Sequence, residues 1–305
     1  MNTKTNLLAI GIPTFNRKEY VKFCAESLSK AKDINCCSII VFDDNSTDFD
    51  VDYLKKIFPP GTEIIRKNEK SAGADYVTRD LMVELTRRNF TRFLILDSDF
   101  ILVSNFIKLA LEQFHKSEGL LSLFNSYKHE EYEHHDSNLC CKRIVGAAAT
   151  MWSLELAVEV LHNVPSGRAF DIRFSNYLTS KNKKIFVTTN SLAQHLGYAN
   201  GQNSVPGRGD IGKGFRDTDL NNLYLLAEST MIENQRLLGA TSLKVDMLIK
   251  YYSGGGLKYF PAFCSKILGI LLLYFGELFS KQSVINLADR CKNYYKAKKF
   301  LSKIK

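Results

Sequence analysis

Apolar and polar positions change rhythm in blocks along the first hundred residues. The run "LLAIGI" (7–12) is apolar and is closed by Pro13. In "NRKEYVKFCAESLSKA" the positions Tyr20, Phe23, Cys24, Leu28 and Ala31 recur at helical spacing, with Asn16 and Glu19 placed as an N-cap and its partner three residues on. "SIIVFDD" (38–44) predicts a second strand, "VDYLKKIF" (51–58) a short helix closed by Pro59-Pro60-Gly61, and "TEIIRK" (62–67) a third strand. "AGADYVTRDLMVELTRR" (72–88) predicts a helix and "RFLILD" (92–97) a fourth strand. Strands this uniformly apolar, alternating with helices, predict an α/β fold with a mostly parallel sheet covered on both faces.

The rhythm then loosens. "VGAAATMWS" (145–153) is rich in small residues and leads into the helical "LELAVEVLHNV", while "FDIRFSNYLTSK" (170–181) predicts a helix and "KIFVTT" (184–189) a strand. "QHLGYANGQNSVPGRGDIGKGF" (194–215) carries six glycines and no apolar period, which predicts a long loop of the kind that serves function. Past about residue 220 the pattern turns helical, dividing the chain into a sheet domain over 1–220 and a helical region over 221–305. In that region "FCSKILGILLLYFGELF" (263–279) has ten uncharged residues from Ile267 to Gly276, short of the ~20 that span a bilayer. "SVINLADRCKNYYKAKKFLSKIK" (283–305) sets Val284, Leu287, Ala288, Cys291, Tyr295 and Leu301 on one helical face and Lys292, Lys296, Lys299 and Lys303 on another. A basic amphipathic helix beside an apolar stretch predicts a peripheral anchor on an anionic membrane surface. Packing on its own domain, or on a twin subunit in a homodimer, is the alternative cover for that stripe.

Charge changes the picture once it is mapped. Of the net +9, residues 290–305 contribute seven basic side chains and no acid, leaving +2 for the rest. The basicity belongs to the tail, so no nucleic-acid partner is implied. The seven cysteines include no Cys-x-x-Cys, which points to reduced thiols, and "MNTKTNLLAIGIPTFNR" lacks the apolar core of a signal peptide. The expectation is a cytoplasmic protein, peripheral on the inner face of the membrane.

Candidate chemistry sits where the strands end. Asp43-Asp44 and Asp97-Ser98-Asp99 follow the second and fourth strands, and Pro13-Thr14-Phe15-Asn16 closes the first. In open α/β sheets ligands bind outside the carboxyl ends of strands, so three clusters distant in sequence converge on one rim. Carboxylates at i and i+2 on such a turn suit a divalent cation that clamps and neutralises a diphosphate. A single Asp-x-Asp is also an ordinary turn. "HEEYEHHD" (129–136), with no ligand spacing, predicts a solvated loop that could border an acceptor, and Trp152 predicts a core residue.

Five fragments in order extend the reading. "IGIPTFNRKEYVKFCAESL", "IIVFDDNSTD", "KNEKSAGADYVTRDLMV", "RFLILDSDFIL" and "VGAAATMWSLEL" together resemble the GT-A fold glycosyltransferases of family 2, inverting enzymes that use nucleotide sugars. The resemblance runs from residue 7 to about 200. It implies that Pro13, Thr14, Phe15 and Arg17 line the nucleotide site and that Asp44 reads the base. Lys70 and Arg79 would lie near the diphosphate, and Asp97 and Ser98 near the ribose and the water shell of the cation. Asp99 and His195 would ligate Mn²⁺ or Mg²⁺. For Lys70 a solvated helix charge, and for His195 a backbone-bonded loop histidine, are the plainer alternatives.

An inverting transfer needs one base to take the acceptor's proton, and the resemblance places it at Asp171 in "FDIRFSNYL". Phe170 stands where the family more often has a second acid, and a helix N-cap is the alternative role for Asp171. The implied activity is transfer of a hexosyl or N-acetylhexosaminyl group from a nucleotide-diphosphate sugar, a UDP-sugar first of all, to a glycan or glycolipid acceptor. A nucleotidyltransferase of similar fold is a rival, although "IPTFNRKEY" lacks the Gly/Arg/Lys-rich loop those enzymes carry. A binding protein on an inactive GT-A-like fold is another.

Overall fold

The computed structural model describes residues 8–196 except Asn89, together with 212–215, Leu225 and Glu228. The chain divides into two units, Met1–Met231 and Ile232–Lys305, and all described residues fall in the first. The anchor predicted over 283–305, the apolar stretch 263–279 and most of the glycine-rich loop lie outside the described residues. Among those described, no helix is long and apolar enough to cross a membrane.

The first half follows the predicted order. It runs β1 (Leu8–Thr14), α1 (Lys18–Ser29), β2 (Cys37–Asp43), α2 (Val51–Ile57), β3 (Glu63–Arg66), α3 (Ala74–Arg87) and β4 (Arg92–Ile95). Pro13 does not end β1 but lies within it, opposite Phe42 of β2. β4 pairs with β1 only over Ala9–Gly11, so the missing amide of Pro13 removes no ladder bond on that side. The N-cap of α1 is not Asn16 but Arg17, in the left-handed region at φ 64°. Asn16 instead accepts the backbone N–H of Thr47 at 2.7 Å, tying the first loop to the second.

The second half contains β5 (Phe100–Leu102), α4 (Phe106–Phe114), β6 (Leu120–Ser122), β7 (Glu131–His134), β8 (Leu139–Lys142), β9 (Thr150–Ser153), α5 (Leu154–Asn163), α6 (Phe170–Ser180), β10 (Ile185–Thr188) and β11 (Ala193–His195). Nine strands form one sheet in the order β3-β2-β1-β4-β9-β6-β10-β8-β7, and β11 pairs with β5 apart from it. β9 and β8 run against the other seven, so the sheet is mostly parallel and mixed where the sequence rhythm loosens. Part of the predicted 129–136 loop is the edge strand β7, whose residues alternate between half-buried and exposed.

The two faces are covered as the alternation requires. Leu8, Ile10 and Ile12 point to α1, α2 and α4, whereas Ala9, Ile40, Phe42, Phe93 and Ile95 face α3, α5 and α6. Gly11 permits the closest approach: a Cβ there would meet Leu85 at 2.7 Å and Leu81 at 3.0 Å. Trp152 is core, edge-on to Phe174 at 5.1 Å and donating its indole N–H to Thr150 at 2.9 Å. Burying such side chains contributes about 1.5–3 kcal/mol each. With both faces filled, the strand ends are left to build the ligand rim.

Candidate active site

A cavity of about 480 Å³ opens at the carboxyl ends of β1, β2 and β4. Its lining includes Pro13, Thr14, Phe15 and Arg17 from β1 and the turn after it, Asp44 after β2, and Asp97, Ser98 and Asp99 after β4. Lys70, Asp171 and His195 line the same cavity. Arg79 does not. Its guanidinium donates to the Leu161 carbonyl at 3.0 Å, so this geometry holds it against α5 rather than beside a diphosphate.

The centre is a carboxylate shared between Arg17 and His195. Asp99 Oδ2 accepts from Arg17 Nη1 at 2.6 Å and lies 3.1 Å from His195 Nε2. His195 gets there because β11 pairs antiparallel with β5, setting His195 opposite Phe100, and the Leu196 amide donates to the Asp99 carbonyl at 2.8 Å. Phe100 also packs on the imidazole, with ring centroids 5.1 Å apart. Burial would push the Asp99 carboxyl up, but His195 and Arg17 together hold it well below the usual carboxylate range. Asp97 goes the other way: burial first, then the neighbouring Asp99 charge, push it up to about 7. The charge of Asp171 adds to that rise, so the three acids share one electrostatic field.

A divalent cation can be tested against these atoms. Asp99 Oδ1 and Thr14 Oγ1 are buried with no hydrogen-bond partner, and both residues belong to the cavity lining. Among the described residues no three His, Cys, Asp or Glu side chains gather around one point. Asp99 and His195 supply at most two protein ligands, so a cation there would need substrate phosphate and water to complete its shell. Arg17 already partners Asp99 and would share that oxygen with it.

The wall around Asp44 and Lys70 is braced by its own loops. Asp44 Oδ1 accepts both the backbone N–H and the hydroxyl of Ser71, at 2.8 and 2.6 Å. That fixes the segment carrying Lys70, whose ammonium lies 4.0 Å from the centre of the Phe15 ring. Asp43 turns inward to Ser46 and Arg66.

Asp171 faces the cavity from the first turn of α6. It is not the N-cap; Ala169 holds that position at φ 57°. One Asp171 oxygen accepts the Ile172 N–H at 2.8 Å, which leaves the other for a proton. Burial, the largest influence, raises its pKa. Phe170 is buried in the core against Phe174 at 5.6 Å, so this position serves packing rather than the cavity.

Sequence reasoning missed the far wall. Ser126, Lys128, Lys142, Ile144 and Gly146 also line the cavity, with His129 from the stretch read as solvated. Lys142 is buried and donates to the Ser126 carbonyl at 2.5 Å. Its only signal was a lysine following the apolar pair Cys140-Cys141.

Comparison with known proteins assigns a family to part of the chain. Residues 9–140 match the model of Glycosyl transferase family 2. This segment belongs to that family. The glycosyltransferase segment spans β1 to β8 and holds the strand-end acids, in the GT-A architecture that the resemblance implied. The chain is 25% identical over 203 residues to the teichoic acid poly(glycerol phosphate) polymerase of Staphylococcus epidermidis, covering 64% of this chain and 26% of that protein. It thus spans about a quarter of the length of this curated relative. S. aureus TarS 1–349 in complex with UDP-GlcNAc superposes with a TM-score of 0.45 at 14% identity, covering 87% of this chain and 80% of that one. The same TarS fragment with UDP gives 0.45 and 14%, over 86% and 80%.

Proposed function

We propose that this glycosyltransferase moves a sugar, with inversion, from a nucleotide-diphosphate sugar to a hydroxyl of a surface-polysaccharide or lipid-linked acceptor. The observation that carries the reading is one cavity holding both Asp99–His195 and Asp171. Pro13, Thr14, Phe15 and Asp44 would take the nucleoside, with UDP as the first donor to try. Asp99 and His195 would hold Mn²⁺ or Mg²⁺, which when bound supplies positive charge to the leaving diphosphate. Lys70 and Arg17 add positive charge on the same side.

Asp171 takes the proton as the acceptor oxygen attacks the anomeric carbon, and the bond to the diphosphate breaks on the opposite face. One carboxylate suffices, because the leaving diphosphate needs no proton, unlike a hydrolase's leaving group. Lys128 and His129, on the wall not claimed by the nucleotide residues, would border the acceptor. The relative named as a teichoic acid polymerase supports a polymer acceptor. The basic pattern over 283–305 supports work at an anionic membrane surface.

The test is a panel of nucleotide sugars incubated with Mn²⁺ and followed for free nucleoside diphosphate. Release with at least one donor is expected. Pyrophosphate exchange instead would assign a nucleotidyltransferase, and silence with every donor would assign a binding protein.

A further inference from the structure

The loop that leads into α6 is held from outside its own helix. Asp75, in the first turn of α3, accepts the Ala169 N–H through Oδ2 at 2.9 Å and the Phe170 N–H through Oδ1 at 3.2 Å. These are two of the amides that a helix start leaves without an internal partner. The local sequence supplies no side-chain cap, because Ala169 occupies the cap position. Its left-handed φ of 57° is unusual for alanine, and Gly167 nearby sits at φ 139°. Arg173 folds back to the Pro165 and Ser166 carbonyls, at 3.4 and 3.2 Å, and bounds the same turn.

We propose that Asp75 is a positioning residue for Asp171: by clamping the amides of residues 169 and 170 it fixes the helix turn from which the proposed base meets the acceptor. The proposal rests on Asp171 being that base. It also joins the two walls of the cavity, because the segment before Asp75 carries Lys70, Gly73 and Ala74 into the lining. Ser71 of that segment bonds Asp44 at 2.6 Å, so the nucleotide side and the base-bearing helix are tied to one short stretch of chain. Donor and base are thereby held in register, the kind of positioning that a displacement of about 1 Å degrades ~100-fold.

The Asp75 charge has a second consequence. Asp171 is faced by Asp75 from α3, by His129 from the segment before β7 and by Asp97 from the end of β4. Asp75 raises the Asp171 pKa and His129 lowers it. Removing the Asp75 charge therefore lowers the pKa of the base and moves the acid limb of the rate to lower pH.

The test uses the full chain carrying Asp75→Ala or Asp75→Asn. Hydrogen exchange at the Ala169 and Phe170 amides, donor KM, kcat and the pH profile are read together. Faster exchange at those two amides is expected in Asp75→Ala, with kcat down about 10- to 100-fold and donor KM little changed. Asp75→Asn keeps one acceptor oxygen and should recover part of kcat, while its acid limb stays shifted downward. Faster exchange with unchanged kcat and pH profile would make Asp75 a stability cap only and overturn the proposal. Unchanged exchange would overturn it at the first step. If the wild type transfers no sugar, the function itself fails, and the exchange measurement still shows separately whether Asp75 holds the turn.

Discussion

The four strands that open the chain and the elements that follow them line the cavity by different means. β1 to β4 run parallel, each followed by a turn that delivers a site residue from its own strand end. The later strands are short and partly antiparallel, and they bring residues together across long sequence separations. His195 reaches Asp99 only through the pairing of β11 with β5. Lys142 enters from β8, and Asp171 depends on an amide clamp reaching from α3. The first wall is a local motif repeated; the second is assembled by tertiary contacts. A local change should therefore cost chemistry on the first wall and alignment on the second.

The largest expected effect lies on the second wall. Asp171→Asn removes the proposed base and should lower kcat about 10²–10⁴-fold with thermal stability nearly unchanged. A mutant within threefold of wild type would move the base elsewhere. On the first wall, Asp99→Asn should cost about 10²–10³-fold in metal-dependent transfer, as loss of a preorganised electrostatic partner does, with the fold retained on circular dichroism.

Phe170→Glu would probe the difference between the walls directly. Glutamate at this buried core position should destabilise the protein by several kcal/mol in urea denaturation, because an unpaired charge would lie against Phe174. Gly11→Ala should cost about 1–3 kcal/mol by pressing on Leu85, with activity per folded molecule preserved.

The smallest effect is a pH dependence. Burial raises the Asp171 pKa above its ordinary 3.8, and the base must be ionised to act. The rate should then rise with pH through a limb lying above that value and level off once the carboxylate is ionised. A limb at the ordinary carboxylate position would place the base in open solvent.

The contrast also explains what the sequence could reveal. Alternating apolar runs and strand-end acids made β1 to β4 and the convergence of Pro13, Thr14, Asp44, Asp97 and Asp99 on one rim legible, because each lies beside its own structural signal. Asp171 and His195 came from family resemblance; their placement depends on pairings with no local pattern. Asn16 looked like a helix cap because spacing cannot show that Thr47 claims its side chain. Arg79 looked like a diphosphate residue because its motif carries no sign that Leu161 is within reach. Asp75 was invisible for the same reason: its partners are backbone amides 94 and 95 residues away.

Titration calorimetry of UDP into the full chain, with and without Mn²⁺, is the most direct probe of the shared Asp99–His195 centre. Mn²⁺ should tighten UDP binding in the wild type and leave it unchanged in Asp99→Asn. Equal tightening in both proteins would contradict a cation held at that carboxylate.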